Sequence, residues 1–254
     1  CGIAGFIDSV IGRTEQEQVL EKMLQAIAHR GPDARGMHFH QSMGIGQNRL
    51  SIIDLSADGN QPMFRQHLSI VYNGEVYNYR EIKKELEAKG ATFHTQSDTE
   101  VILAAYEMYG QKCVDHFVGM WAFAIWDEKE QILFCSRDRF GIKPFFYLQE
   151  GKRFYFGSEY KALFPSPIFR KEYNFRQISR GLQLGWNAYH DETYFEHLHA
   201  LPAAHNLIYK PDGKIEKYRY WDIDTQQTVK IGKDEAIDRF RNLFMESLDL
   251  HMRS

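Results

Sequence analysis

A chain of 254 residues, 43% hydrophobic and 26% charged, has an ordinary globular make-up and is long enough for one large domain or two small ones. Its formal charge of −3, with the basic residues scattered, argues against a nucleic-acid surface, and its longest apolar run, Val118 to Trp126, is too short to span a membrane. Cys1, Cys113 and Cys135 are too few for a disulfide framework, and with no charged-then-apolar leader they predict a cytoplasmic protein.

Ile3 to Ile7 reads as a short buried strand. Thr14 and Glu17 form a capping-box pattern for a helix with the apolar stripe Leu20, Met23, Leu24 and Ile27. His29 to Asp33 must be a loop, because Gly31-Pro32 cannot continue a helix. Met37 to Phe39 and Met43 to Leu55 make a predicted hairpin around Gln41 and Ser42. Leu68 to Tyr72 is a strand running into Asn73-Gly74, first of all a turn signal. Asn78 with Glu81, and Ser97 with Glu100, are predicted caps of two helices that stop at Gly90 and Gly110.

From Gly119 the pattern turns to strands: Trp121 to Trp126, Ile132 to Cys135, Phe145 to Leu148 and Phe154 to Phe156, paired antiparallel by their short connections. Short helices are predicted over Ser158 to Phe164 and Asn174 to Leu182, and Leu207 to Tyr209 pairs naturally with Ile215 to Tyr220. This order predicts an α+β fold, two stacked sheets covered by helices. Thr225 to Lys230 is linker-like, and Ala236, Ile237, Phe240, Leu243, Phe244 and Leu248 then share one helix face. The expected division is therefore a domain over 1–224 and, over 225–254, a linker with the first helix of a second domain. Its apolar stripe needs a partner, which is that second domain, the first domain, or another copy of the chain in a homodimer.

The chemistry centres on Cys1. A chain that begins at Cys rather than Met is expected to be processed, which puts a thiol and a free α-amine on one residue. That amine can take the thiol proton, so one residue supplies nucleophile and base. The bland alternative is a cleavage scar or a fragment end. Arg49, an isolated charge in the apolar stretch Asn48 to Ile53, wants an anion unless it simply faces solvent. The Asn73 amide and Gly74 N–H are two donors suited to an oxyanion, with Glu75 beside them. Asp98 favours the helix dipole, holds a substrate ammonium, or does both. His38 with His40, and His197 with His199, are spaced to share a strand face but lack a third ligand nearby, so they read as surface histidines and no metal is expected. Cys113 and Cys135, in apolar contexts, read as core thiols.

Nine stretches then carry a resemblance. They are CGIAGF from Cys1, RGPD from Arg30, NRLSIID from Asn48, GNQPM from Gly59, YNGEVYN from Tyr72, SDTE from Ser97, GMWAFAIWD from Gly119, RDRFGIKPFFY from Arg137 and GSEYKAL from Gly157. In this order the chain resembles the glutamine-hydrolysing domain of asparagine synthetases, class II glutamine amidotransferases with an N-terminal nucleophile. The resemblance implies a four-layer αββα sandwich of two antiparallel sheets. It implies that Cys1 attacks the glutamine side-chain amide, with Asn73 and Gly74 stabilising the oxyanion. Arg49 would pair with the α-carboxylate, Glu75 and Asp98 would hold the α-ammonium, and Leu50, Ser51, Ile52 and Ile53 would line the pocket.

The domain itself would need no cofactor. The resemblance implies that ATP and magnesium would belong to a C-terminal synthetase domain that would receive the ammonia and amidate aspartate. Leu201 to His205 reads Leu-Pro-Ala-Ala-His where relatives have Leu-Pro-Pro-Gly-His, and Gly185 to His190 lacks the usual spaced proline. Those departures leave open another carboxylate as acceptor. A non-catalytic glutamine-binding module is a further alternative, against which Cys1 itself stands.

Overall fold

The computed structural model describes residues 1–185, 190–210 and 212–253. Strand β1, Gly2–Ile7, is buried throughout and splits its side chains between two cores: Ile3 and Ile7 point one way, Ala4 and Phe6 the other. It lies between β3, Met43–Arg49, and β9, Arg153–Gly157, in a six-stranded antiparallel sheet. β2, Ala34–His40, flanks β3, while β8, Phe146–Glu150, and β10, Leu198–Ala200, complete the order β10-β8-β9-β1-β3-β2. The β2–β3 hairpin turns at Gln41, which takes φ 51°, in keeping with its predicted turn.

The second sheet has the order β12-β11-β7-β6-β5-β4, from β4, Met63–Arg65, β5, Leu68–Val76, β6, Gly119–Asp127, β7, Ile132–Arg137, β11, His205–Tyr209, and β12, Ile215–Arg219. The two sheets face each other through Ile3, Met43, Ile45 and Phe156 on one side and Val71, Ala122, Ala124, Leu133 and Leu207 on the other. Helices α1, Arg13–Ala26, and α4, Tyr160–Leu163, cover the outer face of the first sheet with Leu20, Met23, Leu24 and Leu163. Helices α2, Tyr79–Ala88, and α3, Asp98–Tyr109, cover the second with Ile82, Leu86, Ile102 and Leu103. This is the expected αββα arrangement of two antiparallel sheets. Each fully buried Leu or Ile contributes about 1.5–3 kcal/mol by leaving water.

Several local expectations need correction. The strand predicted to run from Met43 to Leu55 ends at Arg49, because Leu50 to Ser56 leave the sheet and wrap the Arg49 side chain. Asn73-Gly74 is not a turn but the interior of β5, where the sheet continues to Val76. The Thr14/Glu17 capping box does not form: α1 starts after Gly12, and Glu17 accepts from Arg13 Nε at 2.7 Å. Asn78 precedes α2, yet its side chain bridges His116 O and Val118 N, and Glu81 pairs with Arg253. Ser97 does cap α3, accepting from Thr99 N at 3.2 Å, and Glu100 reaches back to the amides of His94 and Thr95.

The other expected helix is α5, Phe175–Leu184, ended by Gly185 at φ 70°; residues 186–189, most of the segment expected to lack a proline, lie outside the described residues. Ala204 takes φ 57°, the left-handed region, at the position where Gly was expected from the resemblance. The last helix, α6, Lys233–His251, leaves Ile237, Phe240, Leu243, Phe244 and Leu248 exposed. Its C-terminal end meets the rest of the chain through the His251 ring on Tyr77 and through Arg253 on Glu81 and Tyr77 O.

Candidate active site

The pocket lies where β1 and β3 of one sheet meet the end of β5 in the other. Its walls include Cys1, Arg49, Leu50, Gly74, Glu75 and Asp98. Cys1 Sγ sits against the backbone of Leu50, 3.3 Å from its N and 3.4 Å from its O. Arg30 Nε donates to Cys1 O at 2.9 Å. The α-amino group is brought from 8.0 down to about 6, first by burial and then by the nearby Arg30 and Lys143 charges, against the opposing pull of Asp33. An amine with that pKa is mostly unprotonated at neutral pH.

The donors come from β5. Asn73 is buried, and its Nδ2 has no hydrogen-bond partner among the described residues. Gly74 lies opposite Trp121, whose own N–H and C=O are both taken by Asp138. By the alternation of an antiparallel ladder, the Gly74 amide therefore points to the other edge of β5. On that edge Tyr72 N donates to Gln61 Oε1 at 2.6 Å, and Val76 N donates to Asp98 Oδ2 at 3.0 Å. The amide between them faces the pocket. Gly74 is obligatory here, since a Cβ would lie 2.2 Å from Met120 O.

The charged groups are held in unequal ways. Arg49 Nη1 donates to Ser56 O and Asn60 Oδ1, each at 2.7 Å, and Nη2 donates to Asp54 O. All three acceptors are neutral; the Asp54 carboxyl, lowered first by its hydrogen bond from Ser56, is lowered further by the Arg49 charge. A buried guanidinium hydrogen-bonded to neutral oxygens can still pair with an anionic ligand. Gly59 lets the loop close over it, because a Cβ there would come within 2.3 Å of Arg49 Nη2. Asp98 accepts from Tyr72 OH at 2.9 Å as well as from Val76 N. Burial drives its pKa from 3.8 up to about 6 against those hydrogen bonds, with Glu75 adding to the rise. It is a carboxylate in search of a cation.

Most of the expected site residues are therefore brought together: Cys1, Arg49, Leu50, Ile52, Ile53, Gly74, Glu75 and Asp98 line one pocket. Asn73 and Ser51 are not among the lining residues: Asn73 is buried within β5, and Ser51 turns its N–H to Asp33 Oδ2 at 2.7 Å. The sequence reasoning did not name Gln47 and Gln61. Gln47 Nε2 donates to Tyr72 O at 2.6 Å, and Gln61 links Tyr72 N to Thr99 Oγ1. The available signal was the run Gln47-Asn48-Arg49, three polar residues in a strand that is buried throughout. Among the described residues no three His, Cys, Asp or Glu side chains gather as a metal site. His197 pairs with Glu172, and His38 packs edge-on against Phe64. Cys113 and Cys135 are fully buried, which pushes both thiols up.

The chain is similar over 98% of its length, at 35% identity, to asparagine synthetase (glutamine-hydrolyzing) 3 of Bacillus subtilis, of which it covers 41%. It is 36% identical, over its whole length, to a putative asparagine synthetase (glutamine-hydrolyzing) 2 of Methanocaldococcus jannaschii, covering 52% of that protein. The chain thus spans about half or less of these relatives. The fold matches glutamine phosphoribosylpyrophosphate amidotransferase of B. subtilis with a TM-score of 0.63 at 19% identity, over 87% of this chain and 49% of that one. Residues 1–221 match the family described as glutamine amidotransferase domain, and the chain belongs to that family.

Proposed function

We propose that this domain hydrolyses the side-chain amide of glutamine to glutamate and ammonia, with Cys1 as nucleophile and its own α-amine as base. The observation that carries the reading is the Cys1 thiol and a low-pKa amine on a pocket that also holds a buried cation, Arg49, and a buried carboxylate, Asp98. Free glutamine offers the complementary pair, an α-carboxylate for Arg49 and an α-ammonium for Asp98 and Glu75.

In this mechanism the amine accepts the thiol proton as Sγ bonds to the amide carbon, and the C=O electron pair moves onto oxygen. In this reading Asn73 Nδ2, which has no other partner among the described residues, and the Gly74 N–H stabilise that oxyanion. The ammonium proton passes to the leaving nitrogen, ammonia departs, and a γ-glutamyl thioester remains. Water, deprotonated by the same amine, attacks the thioester and releases glutamate. None of these steps needs a metal or a nucleotide. The test is release of glutamate and ammonia from glutamine, which Cys1→Ala should abolish without lowering thermal stability. Activity surviving in that variant would refute the assignment.

The relatives' greater length and the bare apolar face of α6 support a second part of the proposal. In a longer chain α6 begins a synthetase domain that receives the ammonia, uses ATP and magnesium, and amidates aspartate or another carboxylate. Hydrogen exchange over residues 236–250 should slow strongly in a chain that continues past Ser254. Equal, high protection in both lengths would mean that α6 belongs to the glutaminase domain.

A further inference from the structure

The Cys1 thiol rests against Leu50 N and O, and as the N-terminal nucleophile of the proposed reaction its backbone is held only on the C-terminal side. A terminal residue has no preceding peptide to fix it, so rotation about its Cα–C bond would swing both amine and thiol unless its carbonyl is anchored. That anchor is Arg30, whose Nε donates to Cys1 O at 2.9 Å. Arg30 closes the 3-10 turn Ala28–Arg30 after α1, and its stem lies close over Gly2, where a Cβ would come within 3.1 Å of Arg30 Cβ. A guanidinium on a single carbonyl can still pivot. Its other end is fixed by Glu159, whose Oε1 accepts from Arg30 Nη1 at 2.9 Å.

Glu159 is itself tied to the strand that carries Cys1. Its neighbour Ser158 donates N–H to Ile3 O at 3.0 Å, and Ser158 Oγ accepts from Ile3 N at 3.0 Å. The turn after β9 therefore grips β1 twice, once directly and once through Arg30. Two further side chains reach the same carboxylate, His29 Nε2 at 2.9 Å from Oε1 and Lys161 Nζ at 3.3 Å from Oε2. Burial alone would raise the Glu159 pKa, and the bonds from Arg30, His29 and Lys161 outweigh it and bring it down. Glu159 stays ionised, with a fixed partner on each side.

From these contacts we infer that Glu159 is a positioning residue of the reaction, acting through Arg30 to hold the Cys1 amine and thiol in register with the oxyanion donors. The inference rests on the glutaminase reading. Its electrostatic consequence follows from the same contact. The charged groups that act on the amine are Arg30, Lys143 and Asp33, and Arg30 is one of the two that lower its pKa. When Arg30 is free to leave Cys1 O, part of that depression is lost and the base titrates at higher pH.

The experiment compares Glu159→Ala and Glu159→Gln for thermal stability, for kcat and KM across pH, and for the pH dependence of Cys1 alkylation by iodoacetamide. Glutamine at 159 can still accept the Arg30 bond. Misplacing reacting groups lowers turnover, so Glu159→Ala should cut kcat about tenfold to a hundredfold. Its KM should stay within about threefold of wild type, and the acid limbs of the rate and alkylation profiles should move to higher pH. Glu159→Gln should restore most of the kcat and both limbs. An unchanged kcat and limb in Glu159→Ala, a rise in KM alone, or a Gln variant no better than Ala would overturn the inference. If the wild-type protein hydrolyses no glutamine, the functional reading falls, and the alkylation profile still decides the role of Glu159.

Discussion

Two buried polar side chains flank the same central strand, β6, and are treated in opposite ways. On one side Asp138, fully buried just beyond β7, accepts from four backbone amides, those of Trp121, Phe140, Ile142 and Lys143, at 3.0–3.1 Å. On the other side Asn73 in β5, equally inaccessible, keeps its Nδ2 without a partner. Arg49 and Asp98 differ from both: one is a buried cation hydrogen-bonded to neutral acceptors, the other a hydrogen-bonded carboxylate whose pKa burial has raised. Hydrogen bonding is complete at Asp138 and incomplete at Asn73. An unsatisfied buried group costs stability, and at Asn73 an oxyanion would recover that cost.

Breaking the completed side should give the largest loss. Asp138→Ala strands the Trp121 amide in the core and unties the loop to Lys143, and it should lower unfolding free energy by about 3 kcal/mol or more in urea titration. The matching change on the open side, Asn73→Ala, should leave the denaturation midpoint unchanged or raised, since it removes an unpaired donor. Its effect should appear in kcat, lowered about a hundredfold or more, as for a lost oxyanion donor, with KM little affected. A change in KM alone would reassign Asn73 to binding.

Asp98→Asn sharpens the comparison through its pH dependence. The folded-state pKa near 6 lies above the ordinary 3.8, so ionised Asp98 destabilises the unliganded fold at every pH above about 6. The penalty shrinks as pH falls from about 6 and is gone below about 4. The neutral variant should therefore be more stable by on the order of 2 kcal/mol at pH 8, with the gap closing by pH 4, while glutamine binding is strongly weakened. Equal stability of the two proteins at pH 8 would count against a strained, ligand-seeking carboxylate. The smallest effect should come far from the pocket. Ala204 sits at φ 57°, and Ala204→Gly should add about 1 kcal/mol in the same titration by removing the Cβ clash of the left-handed conformation.

The same contrast decides what could be read in advance. Strands such as Trp121 to Trp126 and Ile132 to Cys135 were legible because their cores are filled by apolar side chains that write the pairing into the sequence. Reading failed at the pocket, where ordinary preferences are overridden. Leu50 to Ile53 looks like a strand continuing from Arg49, yet Asp33 takes Ser51 N and the Arg49 guanidinium gathers the loop to Asn60 around itself. Asn73-Gly74 has the composition of a turn, but Gly is there because Met120 O occupies the space of a Cβ. Cys1, Arg49, Asn73 and Asp98 could be singled out by chemical type and by resemblance. Gln47 showed only as part of the polar run Gln47-Asn48-Arg49, and Gln61 not at all, since their work is to hold the backbone of Tyr72 and no motif spacing announces such a contact.

The central claim is that Cys1, not a core thiol, is the nucleophile and that its own amine activates it. A glutamine analogue carrying a diazoketone in place of the amide tests this directly, with peptide mapping of the adduct and the inactivation rate measured from pH 5 to 8. The account predicts one adduct per chain, on Cys1, with activity lost in proportion and a rate that rises through the amine pKa near 6. Labelling of Cys113 or Cys135, or full activity retained after Cys1 is modified, would contradict it.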